Sequence, residues 1–464
     1  MAVVGRRAHR RSHCSATSTC SGSPCTDRWP RSPPRTAPLL SLRLGARRSL
    51  LVSAHAAAVE CFTESDAALA GRPRLLAGDI LGYGYTDILW APYGDHWRTI
   101  RKFFSVELLS ASRLAARAAD RRAEVAALVK NLLRDVDGGS PAAANKVTLR
   151  PRLFEFVINV MLRALIGACL RGSDAGSFQE IIEESVRLNG APSVGDLYPA
   201  LRWVDRLRGV HAALARLQAR RDALLDGLIG DQRRKRDANS VRDTKNKVAI
   251  DELLSLEETD PTYYTDSVTK GIVMVTMKKA RTEIDTHVGL ARLAEESDIT
   301  NLPYLQCVVK ETLRLCPVGP IIPAHEAMED CTVGGFHVHR GTMILVNAWA
   351  IHRDPNAWDA PDEFRPERFL HDGSSNKQLV TAAATMPMLP FGHGRRRCPA
   401  EAMAMRLVSS TVAALVQCFE WDVGEGSAID MAEGGGLSMP MATPLAAACR
   451  PREFVKSMLS AAST

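Results

Sequence analysis

A ten-residue segment, FGHGRRRCPA at Phe391–Ala400, most constrains what this chain can fold into. It leads directly into residues 401–417, where apolar side chains recur at helical spacing. The pattern predicts a tight loop that ends at the first turn of a helix, with Cys398 beside the helix N-terminus. A loop of this kind fixes the position of one cysteine sulfur relative to a helix axis.

Three features of this segment favour the thiolate of Cys398, the form in which cysteine binds metals. The backbone N–H groups and dipole of the following helix stabilise an anion. The three consecutive arginines add positive charge, and Gly394 lets the loop fold tightly with backbone donors turned toward the sulfur. A flat cofactor close to the backbone also needs small residues, which Gly394 and Ala400 supply. Arg396 suits a carboxylate on the edge of such a cofactor, because a guanidinium matches carboxylate geometry.

Taken alone, a loop rich in Gly and Arg is also compatible with an ordinary cysteine beside a basic cluster. The full spacing Phe-x-x-Gly-x-Arg-x-Cys, from Phe391 to Cys398 at a helix start, makes a metal ligand the better interpretation. The chain of 464 residues has 11 cysteines and no Cys-x-x-Cys pair. An odd cysteine count at this length argues against a secreted disulfide scaffold and favours a reducing compartment.

Helical periodicity dominates the chain, and short strands are confined to a few stretches. The predicted helices are 113–133, 153–170, 204–237 (one helix or a pair), 302–315 and 401–417. The predicted strands are 41–45 and 49–52 around a turn at Gly45, then 331–338 and 343–346, followed by irregular coil over 355–390. The sequence therefore predicts a mainly α fold with a small β portion (α+β), with residues 37–464 forming a single domain.

The first 36 residues contain many Arg and a single acid, Asp27, and they contribute much of the formal net charge of +7. Their composition is compatible with an organelle transit peptide and with a disordered or mis-assigned start, and we assign 1–36 to the second kind. The basic segment 1–36 also motivates a remote alternative, in which the chain is a basic binding protein and this segment contacts nucleic acid or acidic membrane. No aromatic interleaving supports that alternative.

No apolar run reaches the ~18 residues that span a bilayer, so no membrane anchor is expected.

The segment ending at Cys398 resembles the cysteine-loop signature of the cytochrome P450 family, which are haem-thiolate monooxygenases. The sequence WRTIR at 97–101 resembles the family's Trp-x-x-x-Arg element, in which Trp97 and Arg101 would hold a haem propionate. His325 lies where many plant members place a propionate-binding His or Arg. The resemblance runs from about Ser41 to the C-terminus. The overall residue pattern is similar to that of plant members anchored to the endoplasmic reticulum.

Two further motifs lie in the family's order. KETLR at 310–314 resembles its Glu-x-x-Arg helix, and PERF at 366–369 resembles the stretch that precedes the cysteine loop. Glu311 and Arg314 are three residues apart and share a helix face. With Arg368 they are expected to form a buried charge network that fixes geometry.

The resemblance implies haem (iron protoporphyrin IX) as the cofactor, with Cys398 as the iron ligand and Phe391, Gly394, Arg396 and Ala400 beside it. Family members usually have Gly where this chain has Ala400. A cysteine ligand pushes electron density onto iron and favours O–O cleavage. The implied reaction inserts one atom of O2 into a small hydrophobic substrate. The implied partners are an NADPH-dependent reductase and a membrane surface, here the endoplasmic reticulum, with no nucleic acid.

One departure from the family concerns the long central helix on the distal side of the haem. Residues 270–275 resemble its beginning and residues 277–285 a stretch well beyond it, so most of the helix is expected to be missing. The loss is on the order of 30 Å of helix. No acid–Thr pair remains, and therefore no catalytic residue is identifiable. An inactive relic or truncated gene product that binds haem weakly or not at all stays open as an alternative.

Overall fold

A computed structural model of the chain describes residues 38–137, 146–166, 169–170, 173–190, 192–238, 270–370, 388–422 and 445–461, with residues 438 and 443. The N-terminal segment predicted at 1–36 lies outside the described residues. Residues 239–269 and 371–387 also lie outside them, the latter being the second half of the predicted coil.

Helices make up most of the described chain, as the periodicity predicts. The longer ones are His55–Phe62, Asp95–Phe103, Ala118–Asp137, Leu149–Ile166, Ser173–Asn189, Val210–Ala238, Lys270–His287, Pro303–Leu315, Glu401–Cys418 and Phe454–Ala461. The shorter ones are Leu76–Ile80, Ala111–Ala116, Val194–Leu197, Arg202–Leu207 and Ala348–Ile351, with a π-helical segment at Phe104–Leu108. Single 3-10 turns lie at Pro199–Leu201, Ile299–Asn301, Pro366–Phe369 and Gly394–Arg396.

Two predicted helices are each divided in the structure. The helix predicted at 113–133 is two helices, because the backbone at Arg117 (φ −99°, ψ 10°) leaves helical geometry. The pattern at 204–237 is a pair, divided at Gly209, whose φ of +72° places it in the left-handed region that favours glycine. Apolar side chains keep their helical spacing across both breaks. The spacing alone therefore did not predict the break at Arg117.

Nine strands form three small sheets within the described residues. They are β1 Leu39–Leu44, β2 Arg47–Val52, β3 Lys146–Thr148, β4 His325–Glu326, β5 Cys331–Val333, β6 Phe336–Val338, β7 Met343–Val346, β8 Phe419–Asp422 and β9 Ala446–Pro451. The sheet orders are β1-β2-β7-β4, β3-β9-β8 and the hairpin β5-β6. The predicted turn between β1 and β2 is confirmed, with Gly45 at φ +62°. The mainly α architecture with a small β portion is confirmed as well.

Among the described residues, the largest apolar cluster includes the helix that follows the cysteine segment. Leu407 on this helix packs with Leu132 and Phe156 from two other helices and with Phe419 at the start of β8, all nearly solvent-free. Burying a large apolar side chain contributes roughly 1.5–3 kcal/mol, so this cluster anchors the helix firmly. Among the described helices, none is long and apolar enough to cross a membrane.

Candidate cofactor site

The loop that ends at Cys398 is closed by its own backbone hydrogen bonds. The Cys398 N–H donates to the Phe391 carbonyl at 2.9 Å, and the Arg397 N–H donates to the Gly394 carbonyl at 3.1 Å. The N–H of Ala400, the residue before the helix Glu401–Cys418, donates to the Cys398 sulfur. The structure therefore places the sulfur at the start of this helix, as the sequence predicts.

Gly394 is required for two separate reasons. Its φ is +69°, in the left-handed region. A Cβ at this position would also collide with the carboxylate of Asp66, which accepts the Arg395 N–H at 3.1 and 3.2 Å. Asp66 lies more than 300 residues earlier in the chain, and no motif in the sequence pointed to it. The loop is thus pinned to a distant segment by a carboxylate.

Burial decides the proton affinity of Cys398. It raises the pKa of the thiol, while the Ala400 N–H, Arg101 and Arg397 act in the opposite direction. The Ala400 N–H and Arg397 thus act toward the thiolate, as the sequence predicts for this loop, but desolvation of the sulfur has the larger effect. Of the three consecutive arginines, Arg397 is the one that lowers the pKa of this thiol. Coordination to a metal ion reverses such a balance, since it deprotonates a thiol outright.

The other two arginines of the segment point elsewhere. Arg395 forms an ion pair with Asp66 at 3.2 Å and lies 5.6 Å from the Tyr93 ring centroid. Arg396 donates from Nε to the Ala70 carbonyl and from Nη2 to the Ala91 carbonyl, each at 2.8 Å. Its Nη1 is buried and has no hydrogen-bond partner. A buried donor without an acceptor carries a desolvation penalty of ~1–3 kcal/mol or more. A ligand that supplies an acceptor to Nη1 would remove this penalty.

Trp97 and Arg101 lie one turn apart on the helix Asp95–Phe103 and flank Arg396. The Trp97 ring is buried, and its Nε1 donates to the Ile88 carbonyl at 3.1 Å. The Arg396 guanidinium lies 4.6 Å from the ring centroid of Trp97, and that of Arg101 lies 5.9 Å away. Arg101 also donates from Nη1 to the Arg397 carbonyl, beside Cys398. The structure brings Trp97, Arg101, Arg396 and Cys398 together, as predicted from separate motifs.

His325 completes this group from β4. Its side chain is buried, and its Nδ1 lies 2.9 Å from the Leu69 carbonyl, so Nδ1 carries the proton. Burial lowers the pKa of His325 to about 3, with the charges of Arg72 and Arg396 acting in the same direction. The ring is therefore neutral, and its Nε2 is left unprotonated.

The charges around Arg396 are unbalanced. Burial first, and then Arg72 and Arg101, lowers the pKa of Arg396 to about 9. Among the described residues, no carboxylate pairs with Arg396. A group of desolvated cations with one unsatisfied donor fits an acidic group supplied by a ligand. Such a ligand would bind next to Arg101, which influences both Arg396 and Cys398.

Glu311, Arg314 and Arg368 form one buried network away from this group. Arg314 binds Glu311 with two hydrogen bonds of 2.8 and 2.9 Å, and both side chains are fully buried. Arg368 donates from Nε to the same carboxylate at 3.0 Å. Arg314 also donates to the carbonyls of His352 and Pro361 at 2.8 and 2.7 Å. The guanidinium thus connects the helix Pro303–Leu315 to His352 and to the first part of the predicted coil at Pro361.

The helix Lys270–His287 carries the stretch where the sequence predicts the missing distal segment. Its backbone is continuous over 18 residues. The side chains of residues 270–278 lie outside the part of the chain that the structure describes. The absence of an acid–Thr pair on the distal side therefore remains a prediction from the sequence.

Comparison with known families gives one consistent result. A family model described as Cytochrome P450 matches residues 34–277 and 274–446, two segments that meet inside the helix Lys270–His287. Among solved structures, a zebrafish cytochrome P450 with progesterone superimposes with a TM-score of 0.69. It is 23% identical and covers 89% of this chain and 96% of that one, which shows the fold alone.

Similar curated proteins come from plants. Cytochrome P450 81Q32 of Catharanthus roseus is 41% identical over 457 residues, which cover 92% of this chain and 87% of the relative. An isoflavone 3'-hydroxylase of Medicago truncatula is 40% identical, covering 89% and 85%. A (+)-piperitol/(+)-sesamin synthase of Sesamum radiatum is 35% identical, covering 92% and 86%.

Proposed function

This chain belongs to the cytochrome P450 family, the haem-dependent monooxygenases, and from this premise we propose that it transfers one oxygen atom of O2 to a small hydrophobic substrate. The observation that carries the proposal is the unpartnered, buried Nη1 of Arg396, which lies beside Trp97 and close to Arg101. A propionate of haem is an acidic group that would fit this atom, and Cys398 would supply the thiolate ligand of the iron.

Different residues would hold the iron at the centre of the haem and the propionates at its edge. Cys398 would bind the iron, and the Ala400 N–H that donates to the sulfur would orient it. Arg101 and Arg396 would neutralise the propionates, and both guanidiniums lie against the Trp97 ring. His325 has its one ring proton on Nδ1, so its Nε2 is a hydrogen-bond acceptor, and in this tautomer the ring does not donate to a propionate as the sequence predicts. When bound, thiolate-ligated haem supplies the oxygen chemistry, and the protein supplies binding, orientation and exclusion of water.

We propose a small aromatic plant metabolite as the substrate class. The names of the similar proteins support it, because they include hydroxylases of isoflavones and a synthase of the lignan sesamin. Electrons would come from NADPH through a partner reductase, and the enzyme would act at the endoplasmic reticulum membrane. A single haem domain over 37–464 accommodates this activity.

A second candidate is a family member that binds haem without turnover. The family model matches in two segments that meet at 274–277, the place where the sequence is expected to lack the middle of the distal helix. If that segment is missing, water enters the distal side and the acid–Thr pair that handles protons is lost. Under this candidate, haem binds at Cys398 but substrate oxidation is slight or absent.

A carbon monoxide difference spectrum of the reduced, haem-supplied chain tests both candidates. We expect the Soret band of a thiolate-ligated haem, and we expect Cys398→Ala to abolish it. Cys169→Ala is the matched control, because Cys169 is an exposed free cysteine, and it should leave the band unchanged. A folded chain without the band contradicts the proposal. Turnover with reductase and NADPH then separates the active enzyme from the second candidate.

A further inference from the structure

The hairpin β5-β6 carries three metal-ligating side chains on one face, away from the cysteine loop. His337 lies on β6 and His339 follows it two residues later, so both project from the same side of the strand. In the antiparallel register Cys331 pairs with Val338. Asp330, which precedes β5, therefore lies opposite His339. Strand period and register together bring two imidazoles and one carboxylate to a single point.

The distances among the three ligand atoms are those of a tetrahedral metal site. His337 Nε2 lies 3.1 Å from His339 Nδ1 and 3.3 Å from Asp330 Oδ2, and His339 Nδ1 lies 3.7 Å from Asp330 Oδ2. Nitrogen and oxygen ligands bind zinc at roughly 2.0–2.2 Å. Two such ligands at the tetrahedral angle are then about 3.4 Å apart. The spacings of the three atoms are compatible with one ion at bonding distance from each of them.

The Asp330 carboxylate is also oriented by a hydrogen bond to its second oxygen, as metal-ligating carboxylates commonly are. The Arg340 N–H donates to Asp330 Oδ1 at 2.7 Å, which leaves Oδ2 directed at the two histidines. Outer hydrogen bonds of this kind fix a ligand's orientation and support metal affinity. All three side chains are about half exposed, so an ion reaches them directly from solvent and water completes its coordination.

We propose that Asp330, His337 and His339 form a binding site for a divalent transition metal of the zinc class. Two imidazoles and one carboxylate with an open fourth position are a ligand set that zinc accepts. A bound ion would join the residue before β5 to the residue after β6 and so clamp the hairpin. The site is independent of haem, because none of its ligands belongs to the cysteine loop or the arginine group.

Titration of the full, tag-free chain with Zn²⁺ by calorimetry tests the site. We expect a binding event that His337→Gln and His339→Gln each weaken at least ~10-fold, since each removes one of three ligands. Asp330→Asn keeps the acceptor for the Arg340 N–H but removes the charge, and it should weaken binding as well. The control is His287→Gln, an exposed histidine on a helix, which should leave the titration unchanged.

Cobalt absorption separates this site from cysteine sites elsewhere in the chain. With Co²⁺ we expect weak visible bands that disappear in His337→Gln and lack the strong near-ultraviolet band of a thiolate ligand. Circular dichroism of each variant checks that the chain is folded. Equal Zn²⁺ affinity of the wild type and all three ligand variants overturns the proposal, as does an unchanged Co²⁺ spectrum in His337→Gln.

Discussion

His352 accepts the backbone N–H of Leu389 on Nε2 at 2.7 Å, deep in the structure. The opposite ring nitrogen lies 3.0 Å from the Arg314 carbonyl, so Nδ1 carries the proton. Leu389 begins the approach to the cysteine loop, and Arg314 belongs to the Glu311 network. One neutral imidazole thus connects the buried ion network to the segment that positions Cys398.

Replacing His352 with Leu should destabilise the chain markedly. The substitution leaves the Leu389 N–H and one acceptor site of the Arg314 carbonyl without a partner, and each unsatisfied buried group costs roughly 1–3 kcal/mol. Urea unfolding measures the loss. His287→Leu, at an exposed position, should change the free energy of unfolding by less than ~0.5 kcal/mol. Equal stability of the two variants would show that the imidazole bridge contributes nothing.

Stability should fall as the pH drops below the ordinary histidine range. Burial lowers the pKa of both His325 and His352 to about 3. The unfolded chain therefore binds more protons between about 6.5 and 3, and each ring contributes a slope of up to ~1.4 kcal/mol per pH unit. The full contribution is present above pH ~6.5 and is lost progressively below it. Urea midpoints of the haem-free chain across this range should shift less in His352→Leu; an identical slope contradicts the assignment.

Arg396→Gln should separate haem affinity from stability. We expect at least a ~10-fold loss of haem affinity, because a hydrogen bond to a charged group contributes roughly 1.5–3 kcal/mol. The haem-free chain should be affected less, since the loss of the hydrogen bonds to the Ala70 and Ala91 carbonyls is offset by removal of a desolvated cation whose pKa lies at about 9. Haem titration and urea unfolding measure the two effects. Arg395→Gln in the same loop is the control and should retain haem affinity. Equal affinities in the two variants would falsify the propionate role of Arg396.

Glu311→Gln should be among the most damaging single changes. It leaves the guanidiniums of Arg314 and Arg368 buried without a counter-charge, which costs ~3–5 kcal/mol in comparable cases. Glu367→Gln is the matched control, because Glu367 pairs with Lys279 at 2.9 Å with both side chains about half exposed. That surface pair should contribute less than ~1 kcal/mol. Chemical denaturation of both variants checks the contrast.

Gly394→Ala should disturb the cysteine loop more than backbone strain alone explains. A Cβ there meets the Asp66 carboxylate in addition to the strain of a φ of +69°. Gly289→Ala is the control for strain, because its φ is +78° and nothing lies within 4 Å of the added Cβ. We expect a loss of ~1–3 kcal/mol from strain in both and a further loss, with weaker haem binding, in Gly394→Ala only. Similar losses in both variants would remove Asp66 from the explanation.

The sequence predicted those parts of the site that lie within one short segment. Phe391, Gly394, Cys398 and Ala400 follow from the spacing of a loop that enters a helix. The Glu311–Arg314 pair follows in the same way from spacing on a helix face. Their geometry is local, because a few backbone dihedrals set the distance between the side chains.

Asp66, Arg72 and His352 were not predicted, since each acts on a segment far away in the chain. Asp66 pins the loop at Gly394, Arg72 adds to the charge around Arg396, and His352 joins two buried segments. Nothing in the residues around them signals these roles. The pairing of Asp330 with two histidines depends likewise on the register of a hairpin.

The sequence by itself determined the family, the mainly α fold and the cysteine that we propose as the metal ligand, because motifs of fixed spacing encode them. Only the tertiary structure decided the charge balance of the site. Whether Cys398 favours thiol or thiolate, and whether Arg396 has a counter-charge, depends on burial and on groups brought together from distant segments. Desolvation is a property of the packed molecule, and residue spacing carries no measure of it.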